Sequence, residues 1–288
     1  MIGCYLVETD DGLALFDCGP TSCVGALGEG LARRGLALCD IRHLLLSHIH
    51  LDHAGAAGVL VREHPTLQVY VSEIGAPHLV DPSRLERSAR RLYGDAFDDL
   101  WGELAPVPKE NVHIVGETTL GLETFPSPGH ASHHVSYLSA DGTLYAGDAA
   151  GVRIQPDDYA APPTPPPDFD LETWNRTLDE IERRDADRLA LIHFGVVDDT
   201  EPHLAQLRRR LGEWASEDLP EQEWLARREA ERDAESRNPE AYERAMPLWQ
   251  SYAGLRRYWD KRPAQQYMPA SGPRSRGARA HPPPHQGQ

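Results

Sequence analysis

The chain has 288 residues, of which 40% are hydrophobic, and its 45 acidic and 29 basic side chains give a formal net charge of −16. This length can bury a full core and suits one α/β domain followed by a tail. The acidic balance disfavours a nucleic acid as partner. The sequence shows neither a long apolar run nor the charged-then-apolar start of a signal peptide, so we expect a cytoplasmic protein that does not bind a membrane.

The N-terminal part of the chain predicts strands that alternate with helices. Asp10-Asp11-Gly12 separates two hydrophobic stretches, which predicts a hairpin of the strands Cys4–Thr9 and Leu13–Asp17. No strand pattern appears over 73–105, so we expect a helical insertion there. The other elements predicted before it are helices over 24–34 and Ala54–Glu63 and buried strands over 41–46 and 68–72.

The second part continues with strands and then becomes helical. A Pro-rich loop is predicted over 155–168. The predicted strands lie near 112–115, 121–125, 134–139, 143–147 and 188–192, and the predicted helices near 170–185, 200–216, 221–236 and 240–259. We therefore expect a main domain over 1–218, a helical extension over 219–262, and a disordered Pro/Gly/Ser/Arg-rich tail over 263–288.

The segment His48-Ile49-His50-Leu51-Asp52-His53 places four side chains that can bind metal within six residues. It follows a predicted buried strand, so it lies on the loop that leaves the strand's end. His48 and His50 are two residues apart and point to the same side of an extended chain, where they can bind one ion. Once the chain turns into a helix, Asp52 and His53 can face a second ion beside it. Two neighbouring cations that share a water make a hydrolytic centre.

Three further candidate ligands each follow an apolar or turn segment. They are His130 in Ser127-Pro128-Gly129-His130, Asp148 in Tyr145-Ala146-Gly147-Asp148, and His193 in Leu191-Ile192-His193-Phe194-Gly195. The loops at the ends of strands would gather them at one edge of a sheet. Imidazole and carboxylate ligands suit Zn²⁺, and also iron or manganese.

Together with Leu15-Phe16-Asp17-Cys18-Gly19, these motifs in this order resemble the metallo-β-lactamase superfamily, especially its glyoxalase II-like hydrolases. The resemblance covers roughly residues 3 to 215 and implies the αββα sandwich of that family, an α/β (α+β) fold that agrees with the predicted alternation of elements. The family has one or two strands before the segment that Gly3–Val7 matches, so we expect about 20 N-terminal residues to be missing here.

The resemblance also implies a role for each candidate residue. One metal ion would be bound by His48, His50 and His130, a second by Asp52, His53 and His193, with Asp148 bridging the two. Asp52 and Asp148 would orient a hydroxide between the ions. Asp17 and His134 would support the ligands through hydrogen bonds.

We expect this hydroxide to hydrolyse a small thioester or ester. The family's true β-lactamases typically lack the bridging Asp, so the presence of Asp148 argues against β-lactam hydrolysis. A small-molecule phosphodiesterase, a lactonase and a non-catalytic metal-binding sensor remain alternatives, and a homo-oligomer remains open. The residues expected to contact the substrate are Tyr159 and Phe169 of the Pro-rich loop, and Arg84, Arg87 and Arg91 on one helical face, where they could hold a carboxylate or phosphate.

Overall fold

The computed structural model describes residues 2–193 and 195–261, and the tail predicted over 263–288 lies outside these residues. A first sheet contains five strands of the described chain, in the spatial order β1 to β5. The first two strands pair as an antiparallel hairpin and the other neighbours are parallel. These strands are β1 (Tyr5–Thr9), β2 (Gly12–Phe16), β3 (His43–Leu45), β4 (Gln68–Val71) and β5 (Val112–Ile114).

A second sheet contains six strands of the described chain, in the spatial order β11-β10-β9-β8-β7-β6. Its neighbours are antiparallel apart from β9 and β10, which are parallel. These strands are β6 (Thr118–Thr119), β7 (Leu122–Pro126), β8 (Val135–Leu138), β9 (Thr143–Gly147), β10 (Arg188–Leu191) and β11 (Gly195–Val197).

The helices lie before, between and after the strands. They are α1 (Val24–Ala32), α2 (Leu51–Ala54), α3 (Ala57–Glu63), α4 (Ala76–Val80), α5 (Ser83–Tyr93), α6 (Phe97–Trp101), α7 (Leu171–Arg183), α8 (Thr200–Ser216), α9 (Glu221–Glu235), α10 (Pro239–Ala245) and α11 (Leu248–Lys261). Within the described ranges, no helix combines the length and the apolar composition that crossing a membrane requires.

Two predicted helices are each divided in the structure. The helix expected over Ala54–Glu63 is α2 followed by α3, and the helix expected over 240–259 is α10 followed by α11. Pro247 lies between α10 and α11, where its ring and missing N–H end the first helix. The structure also contains the short strands β6 and β11, which were not predicted.

Alternate side chains of the strands build two separate layers of core. In β2, Leu15 packs towards the helices outside the first sheet, while Phe16 points between the sheets. There the ring of Phe16 meets Tyr137 of β8, with centroids 5.8 Å apart. On the other face of the second sheet, Leu144 belongs to the same buried cluster as Trp174 of α7. Helices therefore cover both outer faces, and the predicted αββα sandwich is confirmed.

The C-terminal helices share the core beneath the second sheet. Trp224 of α9 packs on Trp214 of α8 with ring centroids 5.3 Å apart, and Tyr252 of α11 packs on Trp224 at 5.7 Å. These rings belong to the same buried cluster as Leu191 of β10. Helices α9 to α11 are thus held by the same hydrophobic contacts that stabilise the sheet.

The close approach of α3 to the chain at Ala105 requires a glycine. A Cβ on Gly58 would lie 1.9 Å from the Ala105 carbonyl oxygen, a backbone atom that cannot rotate away. We expect Gly58→Ala to lower the free energy of unfolding by about 1 to 3 kcal/mol. Gly28→Ala in α1 is the matched control, because a Cβ there meets nothing within 4 Å, and it should raise the same quantity by about 0.5 to 1 kcal/mol. Urea unfolding curves measure both, and equal effects of the two changes would contradict the expectation.

Candidate metal centre

The candidate ligands lie at one edge of the two sheets, where strands end. Asp17 follows β2, and the segment His48–His53 lies just beyond the parallel neighbour β3. In the second sheet, Asp148 directly follows β9 and His193 lies two residues after its parallel neighbour β10. His130 lies in the loop between β7 and β8. Because parallel strands end at the same edge, the fold brings these distant residues together.

The first group contains His48, His50 and His130. His48 Nε2 lies 2.9 Å and His130 Nε2 3.0 Å from the same atom, His50 Nδ1. An ion with tetrahedral bonds of about 2.0 to 2.1 Å to nitrogen spaces its ligand atoms about 3.3 Å apart, so these nitrogens are close to that arrangement. Burial, with the neighbouring imidazoles, lowers the pKa of His48 and of His50 well below the ordinary value. Both rings are therefore neutral, which is the form that binds metal.

The second group contains Asp52, His53 and His193. Asp52 Oδ2 lies 3.2 Å from His193 Nε2 and 3.6 Å from His53 Nε2. Burial alone would lower the pKa of His53, but the carboxylates of Asp148, Asp52 and Asp17 outweigh it and raise the pKa well above the ordinary value. The three carboxylates therefore favour a positive charge at this position, which a bound cation would supply.

Asp148 reaches ligands of both groups. Its Oδ2 lies 3.3 Å from His130 Nε2 and 3.5 Å from His53 Nε2, and its Oδ1 lies 3.8 Å from His193 Nε2. Burial raises the pKa of the Asp148 carboxyl, but the three imidazoles outweigh it and hold that pKa well below its usual range. The carboxylate is thus ionised between the two groups.

Two buried polar atoms at this centre lack a hydrogen-bond partner in the described residues. They are His53 Nε2 and Asp148 Oδ1. Leaving such a group unpaired costs about 1 to 3 kcal/mol, more when it is charged. A cation between the groups would satisfy both atoms, and every nearby ligand is an imidazole or a carboxylate. The residues present therefore fit divalent metal ions.

Buried hydrogen bonds fix the orientation of His53. The Asp17 carboxylate accepts from His53 Nδ1 at 2.8 Å, so Nε2 is the ring nitrogen that faces Asp52 and Asp148 in the centre. The same carboxylate accepts from the backbone N–H and the hydroxyl of Ser47, both at 2.7 Å. Asp17 itself adopts a left-handed backbone conformation with φ of 54°. Asp17 thus links the ligand His53 to Ser47 at the start of the ligand loop.

His134 supports the opposite side of the centre. Its Nε2 accepts a hydrogen bond from the backbone N–H of Asp148 at 3.1 Å, and its Nδ1 donates to Ser127 Oγ at 2.7 Å. Gly147 makes this approach possible, because it has a φ of +52° and a Cβ there would lie 2.6 Å from His134 Nε2. The two contacts hold the start of the Asp148 loop in place.

The Pro-rich loop orients His130. His130 Nδ1 donates to the Pro163 carbonyl at 2.8 Å, which leaves Nε2 free to bind metal. The next residue, Thr164, donates through its hydroxyl to the Ser251 carbonyl of α11 at 3.1 Å. Gly254 lets α11 pack this closely, since a Cβ there would lie 2.0 Å from the Thr164 carbonyl oxygen. A C-terminal helix is thus connected to a candidate metal ligand through one loop.

A cavity of about 520 Å³ opens above the centre. Its floor includes five candidate ligands: His50, Asp52, His130, Asp148 and His193. Its walls come from α5 and α6, from the prolines of the Pro-rich loop, and from the segment around α10 and α11. This volume is in the range of sites for small molecules.

The sequence model of the metallo-beta-lactamase superfamily matches residues 2–193. The chain belongs to this superfamily. Among curated relatives, it is 28% identical over 156 residues to the uncharacterized protein YobT of Bacillus subtilis, covering 53% of this chain and 63% of that protein. It is 31% identical over 170 residues to the probable metallo-hydrolase YqjP of Bacillus subtilis, covering 50% of this chain and 51% of that protein. The chain thus spans about half to just under two thirds of the length of these relatives.

Solved structures show the same fold. The crystal structure of ST1585 from Sulfolobus tokodaii, an archaeal metallo-beta-lactamase superfamily protein, superposes with a TM-score of 0.60 at 19% identity. The match covers 90% of this chain and 93% of that one. The two chains therefore share their fold over most of their lengths.

Of the five residues that the sequence led us to expect in contact with a substrate, the structure places one in the lining of the cavity. Arg91 lines the cavity, whereas Arg84 and Arg87 of the same helix do not. Tyr159 is buried, and the Arg210 guanidinium carbon lies 4.1 Å from the centroid of the Tyr159 ring. Phe169 is buried in the core beneath the second sheet. The structure places neither ring in the cavity, because both satisfy their apolar surface within the core.

Several cavity residues were not anticipated from the sequence. Tyr93 and Trp101 of the insertion line the wall, and Met246, Gln250 and Arg257 line it from the C-terminal side. Tyr93 and Trp101 are large aromatic residues in a highly charged insertion, and this contrast could have indicated from the sequence that they line a cavity. The C-terminal residues carry no local signal, because their position depends on how α11 packs against the loop.

His203 makes the stability of the fold depend on pH. This buried ring of α8 donates from Nε2 to the Ala150 carbonyl at 2.7 Å, and burial lowers its pKa from 6.5 to about 4. The unfolded chain therefore takes up this proton first, so stability falls as the pH drops from 6.5 to 4. We expect the parent to lose about 3 kcal/mol more than His203→Gln over that window. Urea unfolding at several pH values measures this, and parallel curves for the two proteins would contradict it.

Proposed function

We propose that the chain is a hydrolase with two divalent metal ions, which acts on a small thioester or ester. The observation that carries the proposal is the gathering of seven ligand side chains around buried, unpaired polar atoms at the floor of a cavity. The name of the relative YqjP, probable metallo-hydrolase, supports the same class of reaction.

The positions of the candidate ligands indicate which of them would bind each ion. One ion would be held by His48, His50 and His130, the other by Asp52, His53 and His193, with Asp148 shared. Bound there, divalent cations lower the pKa of water and polarise a substrate oxygen, so no serine or cysteine nucleophile is needed. Zn²⁺ suits this ligand set best, and iron or manganese would also be accepted.

Other residues prepare the site before any substrate arrives. Asp17 and the Pro163 carbonyl fix the two imidazoles that they contact, so little reorganisation is needed on metal binding. Tyr93 accepts a hydrogen bond from Gln250 Nε2 at 3.2 Å, which leaves the phenol proton available to an acceptor in the cavity.

A small phosphodiester is the second candidate substrate. The same centre can promote attack on phosphorus, and Arg91 lines the cavity where a phosphate oxygen could be held. A lactone is a further ester of the same kind. We expect no meaningful hydrolysis of β-lactams.

An activity panel tests the proposal. The full chain, purified with its metal, would be assayed on a thioester, an ester, a lactone, a bis-aryl phosphodiester and a β-lactam, with kcat/KM as the readout. We expect the highest value for the thioester or the ester. A preference for the phosphodiester of more than about tenfold, about 1.4 kcal/mol in the barrier, would overturn the choice of substrate. No turnover of any of the five would instead favour a metal-binding sensor.

A further inference from the structure

The charge lining the cavity is opposite in sign to the charge of the chain. Acidic residues outnumber basic ones by 45 to 29 overall. Within the described ranges, the carboxylates lining the cavity are Asp52 and Asp148, both candidate metal ligands. The other ionic side chains in the lining, histidines aside, are Arg91, Arg244 and Arg257. In the part of the cavity away from the candidate metal ligands, the charged side chains of the described lining are therefore all arginines, although the chain as a whole is acidic.

These arginines are also less neutralised than their sequence neighbours. Arg90, next to Arg91, forms ion pairs with two acidic side chains, and Arg256, next to Arg257, does the same. In the part of the chain that the structure describes, Arg91 and Arg257 have no carboxylate within the 4.0 Å of an ion pair. Arg244 has one exposed partner at 3.5 Å. Their charges are therefore available to a ligand.

The three arginines come from two separate parts of the chain. Arg91 belongs to α5 of the insertion, whereas Arg244 and Arg257 belong to α10 and α11. Much of the remaining wall is apolar and includes Leu85 and Met246. A ligand that fills this cavity would meet metal ligands, apolar surface and guanidinium groups.

We propose that Arg91, Arg244 and Arg257 select a substrate that carries an anionic oxygen group, a carboxylate or a phosphate, remote from the bond that is cleaved. The inference rests on the proposed hydrolase function and adds a substrate class to it. Guanidinium groups bind both anions through paired hydrogen bonds, and all three side chains are exposed, so an incoming anion can reach them. The middle of the substrate would be a short apolar chain, which the wall around Leu85 and Met246 accommodates.

Three matched thioesters of one thiol test the proposal. They are the hexanoyl thioester, its counterpart that ends in a carboxylate (the adipoyl half-thioester), and a counterpart of equal length that ends in a phosphate. We expect kcat/KM for at least one anionic substrate to exceed that of the neutral one by about tenfold. The comparison of carboxylate with phosphate identifies the preferred anion. Equal or better use of the neutral thioester would overturn the proposal.

Single substitutions then distinguish binding from a general electrostatic effect. Arg91→Gln and Arg257→Gln should each lower the ratio of anionic to neutral kcat/KM, chiefly through KM, by about fivefold to tenfold. Arg87→Gln is the matched control, since it removes the same charge from the same helix at an exposed position outside the cavity lining. Its ratio should equal that of the parent. Equal changes in all three variants would contradict a direct contact.

A binding measurement keeps the inference separate from the proposed reaction. If none of the thioesters is hydrolysed, the choice of a thioester as substrate fails, and titration calorimetry with two stable amides still tests the arginines. Adipic acid monoanilide should bind about tenfold more tightly than hexananilide, and Arg257→Gln should remove that difference. Equal affinities of the two amides for the parent would overturn the inference whatever the reaction is.

Discussion

Replacing Asp148 with alanine is expected to lower both the metal content and the activity. The carboxylate is buried between the two ligand groups, within 3.5 Å of His130 Nε2 and His53 Nε2. Without it, two cations would repel each other across a site with no shared anion. We expect less than two metal ions per chain and a fall in kcat/KM of about a thousandfold, about 4 kcal/mol in the barrier. Elemental analysis and the thioester assay measure the two effects.

Two further variants make this result interpretable. Glu229→Ala removes a carboxylate from the exposed surface of α9 and should change neither quantity. Asp148→Asn keeps the shape of the side chain, so it separates loss of the charge from loss of packing if the alanine variant unfolds. Full metal content and full turnover in Asp148→Asn and Asp148→Ala would show that Asp148 does not join the two groups.

The second large effect is expected at Gly254, which touches no candidate ligand. A Cβ at this position would lie 2.0 Å from the Thr164 carbonyl oxygen, so the Pro-rich loop would have to move away from α11. The preceding residue, Pro163, accepts the hydrogen bond that orients His130. Loss of such a supporting contact typically costs 10- to 100-fold in metal affinity. We expect Gly254→Ala to weaken metal binding by about that factor, measured by competition with a chelator.

The same substitution elsewhere in the C-terminal region is the control. A Cβ on Gly212 in α8 meets nothing within 4 Å, so Gly212→Ala should leave the metal affinity unchanged. Near-UV circular dichroism would show whether both variants keep the parent fold. Parent-like metal affinity in a folded Gly254→Ala variant would show that α11 does not position His130.

The location of the candidate site could be predicted from the sequence. Ligand residue types and the ends of strands are both local features of a chain. The segment from His48 to His53 contains its own ligand spacing, and Asp148 directly follows an apolar strand. The division between α10 and α11 was also predictable in principle, because Pro247 cannot continue a helix. The strands β6 and β11 were too short, at two and three residues, to leave a hydrophobic period.

The composition of the cavity could not be predicted in the same way. Tyr159 lies in the Pro-rich loop as expected, yet its ring turns into the core against Arg210. A loop has no regular period that would say which side chains face inward. Arg257 reaches the cavity only because α11 packs against that loop, through a contact between residues 87 positions apart in the chain. These positions depend on tertiary packing, which the local patterns of a single sequence do not show.

The number of metal ions per chain distinguishes a centre of two ions from a site that holds one ion or none. The full chain would be purified without chelators and analysed for zinc, iron and manganese by elemental mass spectrometry, with protein quantified by amino-acid analysis. We expect two ions per folded chain, because two ligand groups and a shared carboxylate converge at one site. One ion or none, in fully folded protein supplied with these metals, would contradict it.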